Sequence, residues 1–374
     1  MSRWLSWRVP TSYSIETTNA GFWQIVLQSA VDVPRLRRRG DRVISKIKRR
    51  HFIALLGGAA GAWPLAVGAQ QSSVATVGVL YGGTSDDFAY LLPSFCRGLR
   101  EGGYIESRNV AIDYLWAENR YDQVPTLAED LVQRQVDVIV AIGGGGYVAK
   151  IAKATTPTIP IVFTTNPDPV QSGLVASLNK PGGNATGMSF FGAMLEPKKL
   201  ELMHELTPKS AALAVLVNPS NPNTESIVKT VNEAGSALGR DLIVVTANTE
   251  HELEPAYTTI AERRAGGLIV TADPFFNARR AQIVSLTARH SIPAIYEWRE
   301  FVELGGLMSY GSNITDAFRQ VGIYVGRILK GEKPGDLPVQ QPAKFELVVN
   351  LKTANTLSLA IPTAILLRAD EVIE

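Results

Sequence analysis

Val136-Asp137-Val138-Ile139-Val140-Ala141-Ile142 is a short, almost wholly apolar run, and Gly143-Gly144-Gly145-Gly146 follows it directly. A run of this length between turn residues reads as a buried strand. The glycines read either as a tight turn or as a place where backbone approaches a small ligand closely. The same phrasing recurs on both sides. Apolar runs at 76–80, 110–115, 159–164 and 185–189 surround it, separated by amphipathic stretches of helical period. After a further helix at 197–206 a second series begins, with strands expected at 212–217, 241–246, 266–271, 292–296 and 306–310. Strands alternating with helices feed parallel sheets. The chain therefore reads as α/β, two consecutive five-strand sets forming two Rossmann-like lobes. A local match between Thr156-Pro157-Thr158-Ile159-Pro160-Ile161 and His290-Ser291-Ile292-Pro293-Ala294-Ile295 supports two similar lobes. A helix at 313–330, stopped by Gly331-Glu332-Lys333-Pro334-Gly335, precedes one strand at 345–350 and a short tail.

The 374 residues suffice for two ordinary domains. Residues 1–69 carry 11 Lys and Arg against 3 Asp and Glu, so the remainder is net acidic despite the overall formal charge of +2. An acidic body lacks the clustered cations that nucleic-acid phosphates select, and no nucleic-acid partner is expected. Cys96 is the sole cysteine, which excludes a disulfide framework and a cysteine-based metal site. Its apolar neighbours suggest a small buried side chain.

Arg49-Arg50-His51-Phe52-Ile53 opens an apolar stretch that ends in Gly68-Ala69-Gln70. A basic start, a short apolar middle and a small-residue exit make an export signal over 46–69, with cleavage after Ala69. The stretch is short for a membrane span, and Pro64 interrupts it. The paired arginines resemble a twin-arginine signal, although Lys48 stands where Ser or Thr is more usual, which leaves the export route open. Residues 1–45, with three Trp and the basic run Arg35-Leu36-Arg37-Arg38-Arg39, fit no part of that device. They are expected to be a non-native extension of the start, or else a disordered leader.

In open parallel sheets ligands gather beyond the carboxyl ends of strands, where amides and helix starts face a crevice. The exits therefore nominate the site. They contribute Gly83, Thr84 and Ser85 after the first strand, Gly144 and Gly145 after the third, and Thr165, Asn166 and Asp168 after the fourth. The second series adds Asn218, Asp273, Tyr296, Glu297 and Tyr310. Asp168 and Asp273 both precede Pro, so each reads either as a helix or turn cap or as the acceptor of a ligand ammonium group. Thr84, Ser85 and free backbone amides are suited to a carboxylate, and Tyr81, Tyr296 and Tyr310 to an apolar wall. The tetraglycine is no dinucleotide fingerprint. It lacks the GxGxxG spacing and follows the third strand instead of the first. His204, His251 and His290 show no metal spacing, and neither GxSxG nor HExxH occurs. No catalytic constellation, cofactor or metal is called for.

Pro181-Gly182-Gly183-Asn184-Ala185-Thr186-Gly187, Asp273-Pro274-Phe275-Phe276, Ile292-Pro293-Ala294-Ile295-Tyr296, Gly305-Gly306-Leu307-Met308-Ser309-Tyr310-Gly311 and the tail from Lys344 to Ala354 together resemble the tryptophan-transport-type ABC substrate-binding family. That resemblance covers nearly all of the chain after residue 74. It implies a type I periplasmic-binding-protein fold with a multi-segment hinge, its crossings near 186–190, near 310–313 and in the C-terminal segment. On this basis residues 74–187 with 312–345 are expected in lobe 1 and 188–311 in lobe 2, with 346–374 assigned to neither. It further implies capture of an amino acid or aromatic carboxylate, ABC permease subunits of the inner membrane as partners, a periplasmic location and a monomer. The alternatives are a two-lobed enzyme, for which Asp168 with Asp273 is the only acid–base pair to nominate, and a ligand-sensing module.

Overall fold

The computed structural model describes residues 74–192, 195–210, 212–342 and 344–374; the leader and export-signal readings lie outside the described residues. Strands β1 (Ala75–Tyr81), β2 (Val110–Trp116), β3 (Val138–Ile142), β4 (Ile161–Thr165) and β5 (Ala185–Ser189) make an all-parallel sheet of order β2-β1-β3-β4-β5. Residues of β3, β4 and β5 are buried throughout, as expected of strands covered on both faces by helices. Parallel pairing in register sets Tyr81 beside Trp116 and Ile142, so the strand exits collect along one edge.

The second sheet contains β6 (Ala212–Val217), β7 (Asp241–Thr246), β8 (Leu268–Val270), β9 (Ala294–Tyr296), β10 (Met308–Gly311), β11 (Glu346–Asn350) and β12 (Glu371–Ile373), in the order β12-β11-β10-β9-β8-β6-β7. Only β10 and β11 pair antiparallel. Two α/β sheets of mostly parallel strands are thus the architecture. The second set has seven strands where the sequence suggested five, and the tail left unassigned belongs to it. The reason is physical: β12 is three largely exposed edge residues, Glu371-Val372-Ile373, with no apolar run to read. Strands expected from 266 and 292 begin later, because Gly267 and Pro293 lie below the paired residues.

The chain passes between the sheets after β5, after β10 and again between Gln340 and β11. Residues 337–340 run along β5 first: Thr186 Oγ1 donates to Leu337 O at 2.7 Å, and Gln340 N to Gly187 O at 2.9 Å. The helix Ile314–Leu329 enters the first lobe at the second crossing and packs on the helix Leu92–Glu101. Four glycines allow that contact. A Cβ at Gly98 or Gly322 would overlap backbone of the opposite helix, and one at Gly102 would lie 2.9 Å from Gly326 Cα.

Candidate functional site

The exits of β1, β3, β4, β8 and β9 and the start of the helix Ile314–Leu329 converge on a cavity between the lobes. Leu91, Phe190, Trp298, Ile314 and Phe318 supply an apolar wall, with Phe190 and Trp298 packed edge to face at 5.5 Å. Tyr81 and Ile142 continue it toward Gly143, Gly144, Gly145, Thr164, Thr165 and Asn166.

The tetraglycine has positive φ at all four positions, 92°, 58°, 55° and 99°. Sterics compound the conformational demand, since an added Cβ at Gly144 would collide with Tyr121, at Gly145 with Asn223, and at Gly146 with Thr165 Oγ1. Asn223 belongs to the other lobe and donates through Nδ2 to Gly144 O. A second contact joins the lobes at Tyr90, whose hydroxyl meets Asn277 Nδ2 while the Arg280 guanidinium lies 4.4 Å from its ring centre.

Asp273 is the charged residue of the lining. Its carboxylate, 5% exposed, accepts three bonds: Asn218 Nδ2 to Oδ1 at 2.9 Å, Phe275 N to Oδ1 at 2.9 Å and Asn221 Nδ2 to Oδ2 at 2.7 Å. A carboxylate has about four acceptor sites, so one is left, on Oδ2. Burial pushes its pKa up, opposed by the three donors. Asp273 is therefore both cap and cavity group: it starts the helix Pro274–Ala278 and keeps acceptor capacity.

Of the residues nominated from sequence, Gly144, Gly145, Thr165, Asn166 and Asp273 line the cavity, and Asn218 stands behind it as a donor to Asp273. The others lie elsewhere. Gly83, Thr84 and Ser85 open the helix Ser85–Ala89, where Thr84 and Asp87 cap each other's backbone. Asp168 Oδ1 accepts Val170 N at 2.7 Å and closes its own turn. Tyr296 is core, stacked on Phe301 at 4.5 Å with its hydroxyl 3.1 Å from Thr287 Oγ1. Tyr310 packs by Phe345. Glu297 sits in a buried ion cluster with Lys199 Nζ at 3.6 Å; Lys199 also bonds Glu196 Oε1 at 2.8 Å. Burial pushes the Glu297 carboxyl up to about 7 against the pull of Lys199. Sequence reasoning passed over Leu91, Phe190, Asn277, Trp298, Ile314 and Phe318. Only Trp298, next to the nominated Glu297 at a strand exit, carried a positional signal. Among the described residues no group of three His, Cys, Asp or Glu is placed to hold a metal, and no helix is long and apolar enough to cross a membrane.

A family model described as ABC transporter substrate binding protein matches residues 88–373. A tyrosine-binding protein of Clostridioides difficile strain R20291 is 28% identical over 265 residues, 71% of this chain and 75% of that protein. Among solved structures, the ABC domain from Streptococcus pneumoniae in complex with L-Trp is 27% identical, with a TM-score of 0.67 over 80% of this chain and 100% of that one. A ligand-free, open substrate-binding protein with adhesive properties from Clostridium difficile is 26% identical, with a TM-score of 0.54 over 80% and 99%.

Proposed function

Because the chain belongs to the ABC transporter substrate-binding protein family, we propose that it captures a small ligand bearing an aromatic amino-acid group between its lobes and presents it, closed, to the permease of an importer. Capture takes place outside the cytoplasmic membrane, after export. The observation that carries the ligand class is Asp273: a buried carboxylate with one acceptor site left, at the polar end of an aromatic-walled cavity. The ligand ammonium takes that site in a charge-assisted bond. With no Lys or Arg among the described lining residues, the ligand carboxylate falls to backbone amides of the glycine turn. The aromatic side chain lies against Phe190, Trp298 and Phe318.

The chain is, on this reading, a binding protein and not an enzyme. The acid–base pair that catalysis would need is split, because Asp168 is engaged in its own turn while Asp273 faces the cavity. Lobe closure follows from contacts made on both sides of the cleft. The cross-lobe contacts at Gly144 and Tyr90 support a closed arrangement. So does the higher TM-score to the L-Trp complex than to the open, ligand-free structure at near-equal identity and coverage.

Thermal unfolding of the purified protein against amino acids, aromatic carboxylates, sugars and nucleosides tests this. A ligand at about a hundred times its Kd adds about 2.7 kcal/mol. The expected result is a shift confined to L-Tyr, L-Trp and L-Phe, with the ligand recovered unchanged. A shift with sugars or nucleosides alone, or recovery of an altered ligand, overturns it.

A further inference from the structure

The cleft continues beyond Gly145. Gly145, Asn166 and Ala272 bound both the ligand cavity and a second compartment. Glu196, at the start of the helix Leu195–Leu206, forms part of its wall and is only 4% exposed. Its Oε1 accepts from Lys199 Nζ, while Oε2 has no hydrogen-bond partner among the described residues. A buried carboxylate oxygen without a donor is an expensive arrangement in a protein interior, and it leaves Glu196 with acceptor capacity to spare.

Charge and polarity define that ligand. The charged residues lining the two compartments are Asp273 and Glu196, with no Lys, Arg or His among the lining. Lys199 reaches Glu196 through Oε1 alone and lies 3.6 Å from Glu297, so it gives Glu196 Oε2 no donor. The aromatic residues Phe190, Trp298 and Phe318 border only the first compartment. A ligand with its ring among them therefore turns its polar end toward the shared boundary, and any extension enters the second compartment from that end.

We propose that the second compartment receives the residue that follows an N-terminal aromatic residue, so that the protein binds aromatic-first dipeptides with a basic second side chain in preference to the free amino acid. This rests on the reading of Asp273 as the ammonium acceptor. The peptide group then lies by the Asn166 carboxamide, the cationic side chain lies against the Glu196 carboxylate, and the terminal carboxylate stays hydrated at the mouth, where Ser226 is exposed. A single amino acid placed in the first compartment leaves Glu196 without its donor.

Isothermal titration with L-Phe, L-Phe-L-Lys and L-Phe-L-Glu tests the inference on the wild type and two variants. Phe-Lys is expected to bind tighter than L-Phe and roughly tenfold tighter than Phe-Glu, the gain of one charge-assisted bond. Glu196→Gln is expected to bring the two dipeptides within about threefold of each other. Thr230→Leu, elsewhere in the lining and outside the ion cluster, weakens binding of both dipeptides about tenfold relative to L-Phe by filling the space. The ratios are internal to each variant, and Thr230→Leu carries the test if Glu196→Gln does not fold. Equal binding of Phe-Lys and Phe-Glu by the wild type, or binding of L-Phe alone, overturns the inference and leaves the functional reading standing. No binding of L-Phe, L-Tyr, L-Trp or either dipeptide overturns both.

Discussion

Asp273 and Glu297 follow the neighbouring parallel strands β8 and β9, and both carboxylates are almost wholly buried. They are nonetheless opposite kinds of group. Asp273 is held by neutral donors, two asparagine amides and one backbone N–H. These stabilise its charge without cancelling it, so it still attracts an ammonium. Among the described residues neither oxygen of Glu297 has a hydrogen bond, and the Lys199 ammonium beside it is already bonded to Glu196. The lesson is that burial of an acid does not make a ligand site. The donor shell decides whether the charge remains available.

The largest effect expected from this contrast is on affinity. Asp273→Ala removes the ammonium acceptor and leaves Asn218 and Asn221 without theirs, a loss of about 4 kcal/mol, close to a thousandfold in Kd for an aromatic amino acid. Glu297→Ala, by contrast, is expected to change that Kd by less than about threefold when both are titrated calorimetrically. A comparable loss in the two variants would erase the distinction. The raised Asp273 pKa adds a direction: affinity weakens as pH falls through it, because the protonated acid no longer competes for the ammonium.

The next effect belongs to Glu297 and appears in stability. Its folded pKa, about 7, stands above the ordinary 4.5, so between those values the folded state holds a proton that the unfolded state has released. Stability contributed by that proton is fully present below about 4.5 and is lost as pH rises to about 7. The change is of order 3 kcal/mol, with Glu196 raising and Lys199 lowering it. Glu297→Gln, neutral in both states, is expected to flatten that segment of the Tm-against-pH profile. An unchanged slope would mean that the cluster takes up no proton.

A smaller effect tests the donor shell itself. Asn221→Leu removes the bond to Asp273 Oδ2 and the acceptor for Asn223 N, and is expected to weaken ligand binding about tenfold. If affinity instead rises, the Asn221 amide competes with the ligand for Oδ2.

Much of the fold was legible because its strands are buried runs whose period and punctuation survive in one dimension. β12 was not, since an exposed three-residue edge strand has no pattern to show. The glycines of the Leu92–Glu101 and Ile314–Leu329 helices were likewise silent, because Gly98 and Gly322 acquire meaning only when the facing backbone is known. Of the residues lining the cavity, Gly144, Thr165 and Asp273 were legible because a parallel sheet delivers exit residues to one edge. Phe190, Trp298 and Phe318 escaped because an aromatic residue lining a cavity and one filling a core satisfy the same sequence pattern. Tyr296, equally aromatic and equally close to an exit, went into the core.

Asp168 is the sharpest control on all of this, since in sequence it matches Asp273: an Asp before Pro at a strand exit. In the structure its Oδ1 caps Val170 N and Gln171 N in an exposed turn, with no place in the cavity. Asp168→Ala therefore removes these two local side-chain-to-backbone bonds and nothing else. The expected cost is about 1 kcal/mol, near 2 °C in Tm for a chain of this size. Ligand affinity should stay within about twofold of the wild type, because the bonds lost are the same in the free and bound protein. A larger drop in affinity would show that the turn 168–172 moves with the adjoining Asn166 and Pro167, which border the cleft. In that case the difference between the two aspartates would be one of distance from the ligand and not of role.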